Sequence, residues 1–204
     1  MVSFNANLAF NHHVFQKILF ITYLNAVFSG AAPITIGASA ADDEIGMPII
    51  DKILKGYPGG GTTPLCYHVN EVIKQITDIA PQLRAAGKKA SVIIFTDGTA
   101  TDGDIATALQ PLHLLPAWVV IRMCTDDSAI TTYWEAIDAQ LELDMDVIDD
   151  PLSEAEDIKI YNDWLTYGTP LHRLREFGIT VKEIDMINET KLGAQQVKNV
   201  CAYM

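Results

Sequence analysis

Apolar positions along this chain follow two rhythms. Ala90 to Thr96 reads ASVIIFT and Ala117 to Cys124 reads AWVVIRMC, short β-branched and aromatic runs bounded by polar turns. Such runs predict strands buried on both faces. Two weaker runs, Ile18 to Leu24 and Leu143 to Ile148, predict one strand before and one after these. The last three runs end in acidic turns: Asp97-Gly98, Thr125-Asp126-Asp127 and Asp149-Asp150-Pro151. The first ends near Asn25.

Between the runs the period changes to that of a helix. Leu65, Val69, Val72, Ile73, Ile76 and Ile79 share one face of a 3.6-residue repeat. Thr63 before Pro64 predicts an N-cap followed by proline in the first turn, and Gly87 a C-terminal stop. Ser128 is expected to cap a second helix carrying Ile130, Trp134, Ile137 and Leu141. Ser153 with Glu156 has the spacing of a capping box for a third. Leu171 to Phe177 forms a further amphipathic segment that stops at Gly178. Gly37 to Gly46, with its small residues and Asp42-Asp43-Glu44, has the composition of a flexible stretch.

Strands alternating with helices predict an α/β fold with a mainly parallel, doubly wound sheet flanked by helices. Residues 1–204 read as one domain. Residues 1–13 read as an irregular or substitute N-terminal segment, since Val2, Phe4, Ala6, Leu8 and Phe10 alternate as a strand would. Residues 185–204 read as a terminal helix or a loose tail.

Charge narrows the partners. The formal net charge is -12, which repels a phosphate backbone or an anionic membrane and favours cations or basic protein surfaces. Cys66, Cys124 and Cys201 are widely spaced and odd in number, so neither a disulfide framework nor a zinc knuckle is supported. That pattern, with no recognisable signal peptide and no segment long enough to span a bilayer, predicts an intracellular, cytoplasmic protein. Cys66 and His68 stand two apart on a helix, which puts them on different faces.

Ligands in an open parallel sheet collect at the carboxyl ends of the strands. The acids predicted there are Asp97, Asp102, Asp104, Asp126, Asp127, Asp149 and Asp150. Hard oxygen donors on one rim suit Mg²⁺ or Ca²⁺, while turns are also rich in aspartate for conformational reasons. The Glu142 to Asp150 run reads as a solvated edge. His172 reads as a packing or surface residue, and Trp118, Trp134 and Trp164 as core or half-buried. The loop Pro58-Gly59-Gly60-Gly61 lacks the lysine of a phosphate-binding loop, so no nucleotide is expected.

Two segments are more specific. Gly59-Gly60-Gly61-Thr62-Thr63-Pro64-Leu65 opens a helix, and Phe95-Thr96-Asp97-Gly98 closes the next strand. This pair resembles the second and third motifs of the metal-ion-dependent adhesion site of von Willebrand factor A (vWA) domains. The resemblance implies a Rossmann-like sheet and a protein-binding module of the adhesion or scaffold type. It also implies a divalent cation, Mg²⁺ or Ca²⁺, held by Thr63 and Asp97 and completed by an acidic residue of the partner protein. The family's first motif, D-x-S-x-S, is not present upstream of Thr63. The site is therefore partial, and the family's first central strand is absent or replaced. A metal-free scaffold within a larger assembly is the companion expectation. An enzyme is the alternative: Asp97-Gly98-Thr99-Ala100-Thr101 resembles the phosphotransferase motif of the haloacid dehalogenase family, which would make Asp97 a nucleophile and Asp126 and Asp127 Mg²⁺ ligands. Thr99 stands where that family carries its second aspartate.

Overall fold

The computed structural model describes residues 15–22, 40–56, 62–141, 143–179 and 181–203. Four parallel strands, β1 (Phe15–Thr22), β2 (Lys89–Thr96), β3 (Ala117–Met123) and β4 (Met145–Ile148), pair in the order β1-β2-β3-β4. Eight α-helices are described: α1 (Ala40–Gly56), α2 (Leu65–Ala85), α3 (Ile105–Leu109), α4 (Ser128–Leu141), α5 (Pro151–Tyr161), α6 (Thr169–Glu176), α7 (Lys182–Asp185) and α8 (Ala194–Tyr203). The α/β layout with a parallel sheet is as expected. Strand order does not reverse among the described strands.

The two long apolar runs became β2 and β3 almost to the residue, because a strand covered on both faces needs apolar residues at every position. Their register explains the packing. Val92, Val119 and Met145 align across the sheet, as do Ile94, Ile121 and Val147. This row packs against Leu65, Val69 and Ile76 of α2, Ile105 and Leu109 of α3, and Trp134 and Ile137 of α4. The alternate row carries Ile93, Val120 and Asp146, then Phe95, Arg122 and Ile148. It faces a smaller apolar cluster with Trp118 and Phe177. A third cluster, Ile158, Leu165, Leu171, Ile184, Ile187, Leu192 and Val200, lies within the C-terminal helices.

Several local expectations are corrected. The stretch with flexible composition is helical from Ala40 onward, as the start of α1. Pro64, not Thr63, occupies the N-cap position of α2. Asp127 caps α4 by accepting from the Ala129 N–H, so Ser128 is the first helical residue. Asp150 caps α5 with Pro151 in the first turn, which places Ser153 inside the helix and removes the capping box. Asp146, inside the supposed solvated acidic edge, is a buried residue of β4. The terminal segment is a docked helix, with Val200 fully buried. His172 is buried, as packing requires, and Trp118 and Trp134 are core, whereas Trp164, expected to be core or half-buried, is exposed.

β1 runs alongside β2 at one edge of the described sheet, where the first apolar run predicted a strand. It covers Ile18 to Thr22 of the predicted run, and the alternating segment Val2 to Phe10 lies outside the described residues. Among the described residues, no helix is long and apolar enough to cross a membrane.

Candidate functional site

In this topology α2, α3, α4 and α5 all begin at the rim where the parallel strands end. A helix start leaves backbone N–H groups without partners, and a carboxylate is a strong acceptor for them. Each of these four starts has an aspartate from the rim. Asp102 accepts from the Cys66 and Tyr67 N–H groups of α2 at 3.0 and 2.8 Å. Asp104 accepts from Ala106 N–H at 3.1 Å and from the Thr107 hydroxyl at 2.6 Å, at α3. Asp127 accepts from Ala129 N–H at 2.9 Å, at α4. Asp150 accepts from Leu152 N–H at 2.8 Å and from the Ser153 hydroxyl at 2.7 Å, at α5.

For Asp102, Asp104 and Asp150 these bonds favour the ionised form. Slight burial pushes Asp102 up, but the Tyr67 and Cys66 N–H groups outweigh it and leave the carboxyl below its usual range. The Thr107 hydroxyl does the same for Asp104, and the Ser153 hydroxyl with Leu152 N–H for Asp150. Most of the acids that resembled a ligand set therefore belong to helix starts.

Thr63 is half-buried in the segment that leads into α2. Its backbone N–H donates to the Thr101 hydroxyl at 2.7 Å, and its carbonyl accepts from Thr101 N–H at 2.9 Å. The structure thus ties the Thr63 segment to the loop after β2 through Thr101. Asp97 lies exposed at the start of that loop. The loop is pinned next to it: the Trp134 indole N–H donates to Gly98 O at 3.0 Å, and the Thr96 hydroxyl meets the backbone of Gly98. Thr101 and Trp134 escaped the sequence reading as parts of this rim, and Asp102, expected there as an acid, is instead a cap on α2. A signal existed for Asp102, because Thr-Asp-Gly occurs twice, at residues 96–98 and 101–103. The first copy ends the strand and the second reaches across to α2.

Farther along the rim an open cleft of about 450 Å³ lies between α4 and α5, lined by Asp126, Ser128, Thr131, Glu135, Asp149 and Ser153 among others. Burial, followed by the charges of Asp157, Glu154 and Asp149, pushes Glu135 up. The field in the cleft is therefore negative.

Ca²⁺ takes six to eight oxygens, and Mg²⁺ six, several of them waters, held in near-ideal octahedral geometry. Thr63 and Asp97 offer one hydroxyl and one carboxylate, and the nearby Asp102 and Asp104 are occupied by backbone N–H groups. Among the described residues no three His, Cys, Asp or Glu side chains converge as metal ligands. The residues described do not fit a resident divalent ion. Asp127, a Mg²⁺ ligand in the phosphotransferase reading, is likewise engaged as a cap. Comparison with protein-family models, curated proteins and solved structures finds no match to this chain.

Proposed function

We propose that this chain is a vWA-like protein-binding module that meets a basic partner surface directly at the strand-end rim, with no resident cation. One observation carries the reading: four rim aspartates are committed to helix starts, while Asp97 and Asp126 remain exposed and Asp149 lines the open cleft. A net charge of -12 adds long-range attraction for a basic surface. The placement of β1 beside β2, the strand that leads into Asp97, supports the vWA-like reading of the sheet. Loops on a rigid scaffold would supply the specificity.

The test has two arms. Thermal melts with Mg²⁺ or Ca²⁺ against EDTA are expected to coincide. A shift abolished by Asp97→Ala would replace the direct reading with a metal-bridged one. In the second arm a lysine- and arginine-rich peptide is titrated at moderate salt. Asp97→Asn/Asp126→Asn/Asp149→Asn should weaken it about tenfold or more. Asp78→Asn/Asp144→Asn/Asp163→Asn, an equal charge change at exposed positions late in α2, before the start of β4 and after the end of α5, should weaken it far less. Equal losses in the two triple variants would reduce the attraction to bulk charge and end the rim assignment.

A further inference from the structure

The C-terminal helices have a core and a polar staple of their own. Their apolar cluster runs from Ile158 to Val200 and shares no buried residue with the clusters on the sheet. Asn162, fully buried, donates to Ile187 O at 2.8 Å and Thr190 O at 2.7 Å, and accepts from Leu192 N–H at 3.0 Å. This holds the α5 end to the segment before α8.

Two ionic contacts of opposite polarity join these helices to the sheet. The Arg175 guanidinium, wholly buried, lies on Asp146 of β4 with bonds of 2.8 and 3.1 Å. Glu176 accepts from Arg122 Nε of β3 at 2.8 Å. Each helix-side ion also has a partner on its own side. Arg175 pairs with Glu154 of α5, and Glu176 with Arg173 and the His172 ring. Arg173 and Arg175 balance Glu154 and Glu176, while Arg122 balances Asp146 on the sheet. Counted over these six ions, each half is neutral when the two part. Ion pairs at this depth add little net stability against desolvation, but they specify register.

We infer that residues 151–203 form a latch that docks on the second face of the sheet through Arg175–Asp146 and Glu176–Arg122 and lifts from it as a unit. The hinge is the Asp149-Asp150-Pro151 turn after β4. Lifting uncovers Ser91, Trp118 and Val120, which are buried when the latch is closed. Sub-global openings of this kind follow the boundaries of separately packed cores.

Thiol labelling of the full chain tests this. Cys124 and Cys201, both exposed, are changed to serine. Ser91→Cys then places a thiol beneath the latch, where Ser91 now donates to Phe177 O at 3.0 Å. Cys66, packed with the cluster on the opposite face, reports opening of the rest. The introduced thiol should label about tenfold or more faster than Cys66. Adding Arg122→Met/Asp146→Asn, which removes the sheet-side partners along with the Arg122 bonds to Met123 O and Ile148 O, should speed it about tenfold again and leave Cys66 within about twofold. Labelling no faster than Cys66, or no response to the double change, overturns the latch. Val120→Cys, on the same face, serves if Ser91→Cys does not fold.

Discussion

Asp102 reaches 35 residues back along the chain to accept the Tyr67 N–H at 2.8 Å, and so caps a helix that begins before its own strand. The same side chain accepts from Cys66 N–H. Loss of a capping carboxylate costs about 0.5–2 kcal/mol. Asp102→Ala should lower stability by about that amount in urea unfolding, and Asp102→Asn, which keeps one acceptor oxygen, by less. The carboxyl is held below its ordinary value, so its contribution is present above that value and fades as pH falls through the folded one. An Asp102→Ala protein as stable as the parent at neutral pH would show that the contact is idle.

The strands were legible because burial on both faces leaves an unbroken apolar signature, as in VIIF and WVVI. The long helix α2 was legible from its period. The caps were misread for a common reason. Thr63, Ser128 and Ser153 carry cap-forming hydroxyls, but a neighbouring or distant aspartate is the better acceptor in each case. Asp150-Pro151 did hold the start of α5 in plain view, since proline favours the first helical turn. Asp102 could not be found by any local rule, because its partner is set by tertiary packing. The same holds for Arg175 and Asp146, an apparently amphipathic helix residue and an acid in an acidic run that become a buried pair only once α6 lies on the sheet. For the candidate site, sequence located the rim and its acids. It could not separate ligands from caps, because both uses select aspartate in turns.

Arg175 should be the most sensitive charged position. Its guanidinium is wholly buried and neutralises both Asp146 and Glu154. Arg175→Met would leave two buried carboxylates facing each other, and breaking a buried pair in this way costs about 3–5 kcal/mol. Asp146→Asn leaves Arg175 its Glu154 partner and should cost clearly less. Denaturant midpoints of the two variants, compared at one pH, check the order. Equal losses would mean that the Arg175–Glu154 contact carries no weight.

Acidic groups near the joint give stability a pH dependence. Burial first, and then the charges of Glu189 and Asp146, raises Asp138 of α4 from 3.8 to about 7. Burial, and then Asp146, Glu189 and Asp138, raises Asp185 of α7 to about 8, against the opposing pull of Arg175. A carboxyl raised in the folded state contributes fully below its unfolded value and loses that contribution as pH climbs to the folded one. Glu176 acts in the opposite sense: despite burial, bonds from His172, Arg122 and Arg173 hold it at about 2, so its contribution is lost as pH falls from 4.5 toward that value. The melting temperature should therefore decline from about pH 4 to about pH 8. Asp138→Asn/Asp185→Asn should flatten that decline. A slope that survives the double change would assign it to other groups.

Gly178 ends α6 where no side chain fits. Its φ is +80°, a left-handed conformation that glycine adopts without the Cβ penalty of other residues. A Cβ there would lie 2.5 Å from Ser91 Oγ and 2.9 Å from Trp118 Cδ1, both part of the sheet face beneath. Gly178→Ala thus meets two separate obstacles, one of backbone and one of space. Strain of the first kind costs about 1 kcal/mol or more, and overpacking adds about 1–3 kcal/mol. Ser91→Ala removes the nearest atom, although it also removes the hydroxyl that donates to Phe177 O. The double variant Ser91→Ala/Gly178→Ala should therefore recover part of the steric loss and none of the backbone loss. Urea unfolding of the two single variants and the double variant, read as a cycle, should give a favourable coupling between the two positions. Additive losses would mean that α6 shifts away from the sheet to make room, and that the close approach at Gly178 is not what fixes the helix in place.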